Sequence, residues 1–396
     1  LEVSSNNYLG TIRFIQFYAG TAAGGRFGLD SGAAIKMSPS GNQINVEHCW
    51  ISNWDYAFVL ESAADLTIHD NCMEYCYKAI KCSGAGNGHL IITDNEFYSM
   101  GPVALGGGEF DPTFKFNDSV DINLSNNKII ISDAMSAQTA GYIHVEDTTD
   151  FHFENNIFYE VGEVLTGNTL LLDTVTRAKI VGNTFPRDYL ASVDATGCID
   201  VTITSNTFPN GQTRSGTVTT TEIIECANCQ NVKIADNNIG QTYLNCVLLT
   251  GQNGATVTGN IFMGVTTQAA YTGIAVAGLS TNIAITGNVF KSDDNSANTY
   301  DITMADSGVA TKSHDVTVTG NVLSQGYSIH TSVYATAITA NAGGGSRNYK
   351  TAAPTAGTWK MGDIVWNHAP ALAAPVAWVC TTAGTPGIWH ILSTAS

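Results

Sequence analysis

Eleven times the chain repeats one pattern, apolar-x-apolar-x-x-Asn-x-apolar, and that repeat restricts the fold more than any other feature. Its copies run from Ile68-His-Asp-Asn71-Cys-Met73 through Ile92…Asn95…Phe97, Leu124…Asn127…Ile129, Phe153…Asn156…Phe158, Ile180…Asn183…Phe185 and Ile203…Asn206…Phe208. They continue through Ile234…Asn237…Ile239, Val257…Asn260…Phe262 and Ile285…Asn288…Phe290 to Val318…Asn321…Leu323. An earlier copy, Val46-Glu-His-Cys49-Trp-Ile51, has Cys in place of Asn. Self-similarity at a period of a few tens of residues, with strand-type alternation inside each unit, marks a β-solenoid.

Each copy reads as a short strand, a sharp bend at the Asn and another short strand. Asn tolerates a left-handed backbone and bonds locally through its amide. Stacked coil on coil, the amides are expected to form a ladder. The inward Ile, Val, Leu and Phe then build a core that no single coil buries alone. Helical spacing is absent from the repeats. The expected fold is therefore all-β: a right-handed, single-stranded parallel β-helix of about 11 coils, followed by a small Trp-rich β domain.

The 39 Gly and the low charged fraction of 13% suit short strands and tight turns. The nine Cys lack zinc spacing and are expected to be reduced, with Cys82 and Cys226 as small core residues, which suggests assembly inside a cell. The net charge of −17 argues against nucleic acid, whose phosphates need Lys and Arg stripes. A neutral or cationic partner, or an acidic polymer held by local basic residues, stays open. No apolar stretch reaches transmembrane length, and a chain opening without Met is expected to be a fragment.

The expected organisation is an irregular N-terminal part of the β-helix over 1–40, coils over 41–337, a linker over 338–350 and a C-terminal module over 351–396. Four of the six Trp lie in that module, as Trp359, Trp366, Trp378 and Trp389. They form a small core or a glycan platform.

Alignment of each coil on the strand before its Asn motif suggests where chemistry sits. The residue after the last inward apolar position is Glu61, Ser83, Gly106, Glu146, Asp173, Asp194, Glu225, Thr250, Ala277 and Ala305 in turn. By alternation this column faces outward. Glu146, Asp173, Asp194 and Glu225 are then expected at one address on four consecutive coils, at about 4.8 Å per step. Opposed like charges are unfavourable, and a shared proton raises one pKa, supplying a general acid beside an ionised partner. Neighbouring coils place carboxyls about 5 Å apart, near the retaining-glycosidase separation. These four are the expected catalytic residues.

His144 and Asp147 enlarge the cluster as substrate-binding candidates. Glu109 and Asp111, in a Gly-rich insertion, form a second candidate, and Arg177 and Arg214 are further substrate-binding candidates; with Lys179 and Arg187 these two are also the candidate bases if the reaction is β-elimination. The competing reading makes the acids solvated strand ends and Glu109 and Asp111 turn residues. The His residues show no metal-ligand spacing.

The Asn-bearing coils, together with Gly357-Thr-Trp-Lys-Met-Gly-Asp-Ile-Val-Trp366 and Trp378-Val-Cys-Thr-Thr-Ala-Gly-Thr-Pro-Gly387, resemble bacteriophage tailspikes, the capsule or O-antigen depolymerases. The coils are shared with pectate-lyase-like enzymes generally. The resemblance implies a homotrimer on the phage virion tail, acting extracellularly at the host cell surface, that binds and cleaves bacterial capsular or O-antigen polysaccharide by hydrolysis. Neither nucleic acid nor membrane insertion is implied, and no cofactor, apart from Ca²⁺ if the reaction is β-elimination. A polysaccharide lyase and a non-cutting receptor-binding spike are the alternatives. Leu171, Ile223 and Leu248 are expected as outward apolar residues that a trimer covers.

Overall fold

The computed structural model describes residues 1–3, 10–18, 32–37, 43–61, 64–76, 78–83, 87–98, 112–132, 142–161, 168–186, 191–209, 222–240, 245–264, 272–292, 300–304, 314–323, 329–331, 337–339, 342–343, 348–350, 352–355, 361, 364–367, 372, 374–384 and 386–394. Within these residues every regular element is a strand. The strands fall into long parallel sheets whose neighbours are one coil apart in sequence, the topology of a right-handed parallel β-helix. A first sheet runs from Glu2–Val3 to Ile329–Thr331, and a second from Gly10–Arg13 to Ala337–Thr339, with thirteen strands each. The third side consists of two six-stranded sheets, linked at Thr184 by single bridges to Ile157 and Thr207.

The coils thus number more than the eleven expected; they include strands of the N-terminal part and run past residue 337. Ala33–Met37 already pairs with Tyr56–Glu61. At the far end Ala342–Gly343 pairs with Val322–Leu323, inside the segment expected to be a linker. The reason is physical: pairing needs only backbone and a stacked neighbour, so a coil with an imperfect motif still joins the ladder.

Alternation fills the core. Ile143 and Val145 are fully buried while His144 and Glu146 between their strand positions face outward. Beneath the middle coils the filling is aromatic, with Phe185 stacked on Phe208 at 4.6 Å and Phe153 packed on Phe185 at 6.0 Å between ring centroids.

The Asn ladder is continuous from Asn71 to Asn321. The Asn183 amide oxygen accepts hydrogen bonds from the Asn156 backbone N–H at 2.8 Å and from Asn156 Nδ2 at 3.0 Å. Asn183 Nδ2 in turn donates to the Phe153 carbonyl at 2.7 Å. The same pattern recurs along the stack, and Cys49 starts it by donating its backbone N–H to Asn71 Oδ1 at 2.9 Å. One detail differs from expectation: the left-handed residue is the one before each ladder Asn. Asp70, Asp94, Asn126, Asn155 and Ser205 take φ between 54° and 57°, and Gly182 takes 70°. That residue turns the chain and leaves the Asn side chain pointing inward, where it is buried.

All nine cysteines are free thiols, and Cys82 and Cys226 are core residues as expected. A four-stranded sheet closes the chain: Asn348–Lys350, Ile364–Asn367, Pro375–Thr382 and Ile388–Thr394. Its first pair is parallel and the others antiparallel. Trp378 is buried there with Val365, Ala377 and Cys380, so it belongs to a core. Trp359 lies outside the described residues.

Candidate functional site

The outer face of the first sheet carries the site. Its strands Phe114–Asn117, Ile143–Glu146, Leu170–Asp173, Val193–Thr196 and Ile224–Ala227 are consecutive neighbours in the stack. Cross-strand register defines two outward columns, two residues apart along each strand. One reads Lys81, Lys115, His144, Leu171, Asp194, Glu225 and Leu248. The other reads Asn117, Glu146, Asp173, Thr196 and Ala227.

The four acids expected in one column therefore occupy two. Glu146 faces Asp173, and Asp194 faces Glu225. The slip has a simple origin. Val193 and Ile224 are the last large inward residues of their strands, but the small Ala195 and Cys226 follow them inward and are fully buried. Gly106 lies outside the described residues; the neighbouring strand Phe114–Asn117 puts Asn117 opposite Glu146.

Burial and charge make Asp194 and Glu225 the chemically distinctive pair. Burial pushes the Asp194 carboxyl above its ordinary range; the hydrogen bond from Asn168 opposes this, and the charges of Glu222 and Asp173 add to it. Burial likewise raises Glu225, reinforced by Asp194 and Glu222. Their flanking partners in the column are apolar, Leu171 beside Asp194 and Leu248 beside Glu225. Asn168 Nδ2 donates to Asp194 Oδ2 at 2.8 Å, which orients that carboxylate. Asn245 holds Glu222 at 3.2 Å close by.

The other half of the face is basic. Lys115 is the cross-strand partner of His144. Burial lowers the His144 pKa and Lys115 lowers it further, against the opposing pull of Glu146 and Asp173, so its imidazole is neutral at pH 7. Among the described residues His144 Nε2 is buried with no hydrogen-bond partner. Asn117 Nδ2 donates to Glu146 Oε2 at 2.9 Å, and Asn117 Oδ1 is also buried without a partner among them.

Of the remaining candidates, Asp147 sits at the corner between the first and second sheets, exposed, with φ 48° and the Thr174 hydroxyl donating to it. Arg177 lies on the second sheet and grips Asp150 bidentately, Nε to Oδ1 at 2.5 Å and a terminal NH₂ to Oδ2 at 2.6 Å. It is removed from the first-sheet face, and so is the exposed Lys179. Glu109, Asp111, Arg187 and Arg214 fall outside the described residues. Ile223, expected outward, is a buried core residue, whereas Leu171 and Leu248 do face out.

Sequence reading missed Lys81, Lys115, Asn117, Asn168 and Glu222. The alternation in Phe114-Lys-Phe-Asn117 was the available signal for two of them, since two large apolar residues flank an outward Lys. Asn168 and Glu222 precede their strands and carry no periodic signature.

The fold and face define a β-helix with an acid–base cluster, and the chain is similar in part to known proteins. A family model, the periplasmic copper-binding protein NosD, matches residues 111–277, less than half of the chain. Among curated proteins none matches. Similar solved structures include the surface adhesin PfbA of Streptococcus pneumoniae, with 12% identity and a TM-score of 0.47 over 92% of this chain and 88% of that one. The A-module of a mannuronan C-5 epimerase of Azotobacter vinelandii gives 13% identity and 0.44, over 80% of this chain and 91% of its own. Tailspike protein 3 of bacteriophage CBA120 gives 13% and 0.36; the match covers 98% of this chain and 59% of the tailspike. Among the described residues no group of three or more His, Cys, Asp or Glu side chains is arranged to hold a metal ion. No helix among them is long and apolar enough to cross a membrane.

Proposed function

We propose that the chain binds bacterial surface polysaccharide, capsule or O-antigen, and cleaves it by glycoside hydrolysis as a phage tailspike does. The observation that carries the reading is the adjacent pair Asp194 and Glu225, both held above the ordinary carboxylate range on an outward face. A ladder step of about 4.8 Å puts their strand positions near the carboxyl separation of retaining enzymes. Glu225 accepts no hydrogen bond among the described residues and is raised by burial; it is the general acid that protonates the leaving oxygen. Asp194, oriented by Asn168, is the nucleophile. Asn117 and His144 border the same face and bind the sugar. The resemblance of the coils and Trp-rich end to tailspikes supplies the polysaccharide and the homotrimer on a virion tail.

The test is an incubation of the protein with a panel of capsules and O-antigens, with mass spectrometry and NMR of the products. New reducing ends with retained anomeric configuration are the expected result. Intact polymer in every case leaves a receptor-binding spike. A light-scattering mass near that of one 41.9 kDa chain at micromolar concentration sinks the trimer.

A second reading has its own observation. His144, neutral and half-buried beside Lys115, is arranged as a base for β-elimination on a uronate, with Lys115 neutralising the carboxylate next to the abstracted proton. Unsaturated product ends, seen as new ultraviolet absorbance, distinguish it from hydrolysis.

A further inference from the structure

The chain carries 34 Asp and Glu against 17 Lys and Arg, so its general surface repels polyanions. One strip of the first sheet departs from this. Lys81 and Lys115 are direct cross-strand partners on adjacent coils, with His144 next in the same column. No other two lysines among the described residues face each other in this way. Lys36, further down the column, is neutralised by Glu61 at 3.2 Å, and Lys128 on the third side by Glu96 at 3.0 Å. Lys81 and Lys115 have no such partner among the described residues; Lys81 only approaches the Tyr56 ring, at 5.8 Å. Directly opposed like charges destabilise a sheet. Next in the column, His144 Nε2 is buried without a hydrogen-bond partner among the described residues. Two adjacent outward lysines with no carboxylate partner among the described residues, on an otherwise acidic chain, mark a position for an anionic occupant.

The geometry gives that occupant a direction. From Lys115 to Asp194 is three coil steps, about 14 Å along the rod, and from Lys81 four steps, about 19 Å. A linear polymer lying along the first sheet therefore spans the lysines and the Asp194–Glu225 pair together. We infer that the substrate is a carboxylate-bearing polysaccharide, whose acid groups are taken by Lys81 and Lys115 while a neighbouring linkage lies over Asp194 and Glu225. The same polymer keeps its acid groups away from the carboxylate end of the face, where they are repelled. Polarity along the rod thus sets both register and orientation. This inference rests on the proposed action on polysaccharide but is read by binding, which needs no cleavage.

The experiment uses the full chain and a panel of acidic bacterial capsular polysaccharides, alginate and polygalacturonate. Each polymer is presented native and carboxyl-reduced, with dextran as the neutral polymer. Native acidic polymers should be retained, with affinity falling as salt rises, and their reduced forms and dextran should not. Lys81→Gln and Lys115→Gln should each weaken retention about tenfold, the loss of one charge-assisted hydrogen bond. Lys128→Gln, on the third side, should leave it unchanged, and matching melting temperatures show that the variants fold. Equal retention of native and reduced polymer, retention indifferent to both lysine variants, or no retention of any acidic polymer overturns the inference. Lysine-dependent binding with no polymer cut upholds it and removes the hydrolase reading. Cleavage confined to neutral polymer does the reverse.

Discussion

Asp194 and Glu225 are cross-strand partners on adjacent coils, both on the outward face of the first sheet. Burial holds both above their ordinary range, and Leu171 and Leu248 close the column on either side. An arrangement that disfavours ionisation at two neighbouring sites favours one shared proton, and with it an acid beside a nucleophile.

Asp194→Asn and Glu225→Gln should each lower depolymerisation by about 10²–10⁴-fold while leaving polymer binding in place, because each amide keeps size but loses charge and the acid proton. Asp173→Asn and Glu146→Gln, in the neighbouring column, should cost much less. Initial rates of reducing-end release on the four variants check this; a ranking with Glu146 and Asp173 most damaged moves the chemistry to the other pair.

The same amides should raise the melting temperature at about pH 8 and not at about pH 3. The sign follows from the direction of the shifts. A carboxyl whose folded pKa is raised is penalised for ionising in the fold, and the penalty is complete above the folded value. It fades as pH falls toward the unfolded value of about 4. Thermal scans of Asp194→Asn and Glu225→Gln across pH read this, and a gain that persists in acid contradicts it.

Leu248→Ser should bring water to Glu225 and return its pKa toward the ordinary range, moving the alkaline limb of the rate–pH profile to lower pH. An unmoved limb with unchanged fold assigns that limb to another group.

Asn183→Ala removes an amide that accepts two hydrogen bonds from Asn156 and donates to Phe153. Several buried groups lose their partners at once, so the loss should be at least about 3 kcal/mol, seen in the denaturant midpoint. Asn321→Ala, near the end of the ladder, should cost less, since fewer coils rest on it.

Removal of residues 348–396 should leave the rod folded, because its last described strands, Ala337–Thr339 and Ala342–Gly343, pair within the coils, whereas Asn348–Lys350 pairs in the terminal sheet. Trp378→Ala should lower the stability of that sheet by about 3–5 kcal/mol and spare the rod. A single transition shifted as a whole in the variant argues that the two fold as one unit.

The fold was legible in the chain because its determinants are local and repeated. Ile180 inward, Gly182 left-handed, Asn183 buried and Phe185 inward form one unit, and each bond of the ladder needs only the next copy of itself. Only the tertiary structure decided the site. The connection before each first-sheet strand varies in length, so sequence distance from the Asn does not set the register of that strand. Small inward residues such as Ala195 and Cys226 hide where a strand ends, and a slip of two residues keeps every side chain on its face while changing its neighbour. Alternation therefore told that Asp194 and Glu225 face outward. Hydrogen-bonded register alone told that they face each other, with Glu146 and Asp173 in the next column and Lys81 and Lys115 below His144.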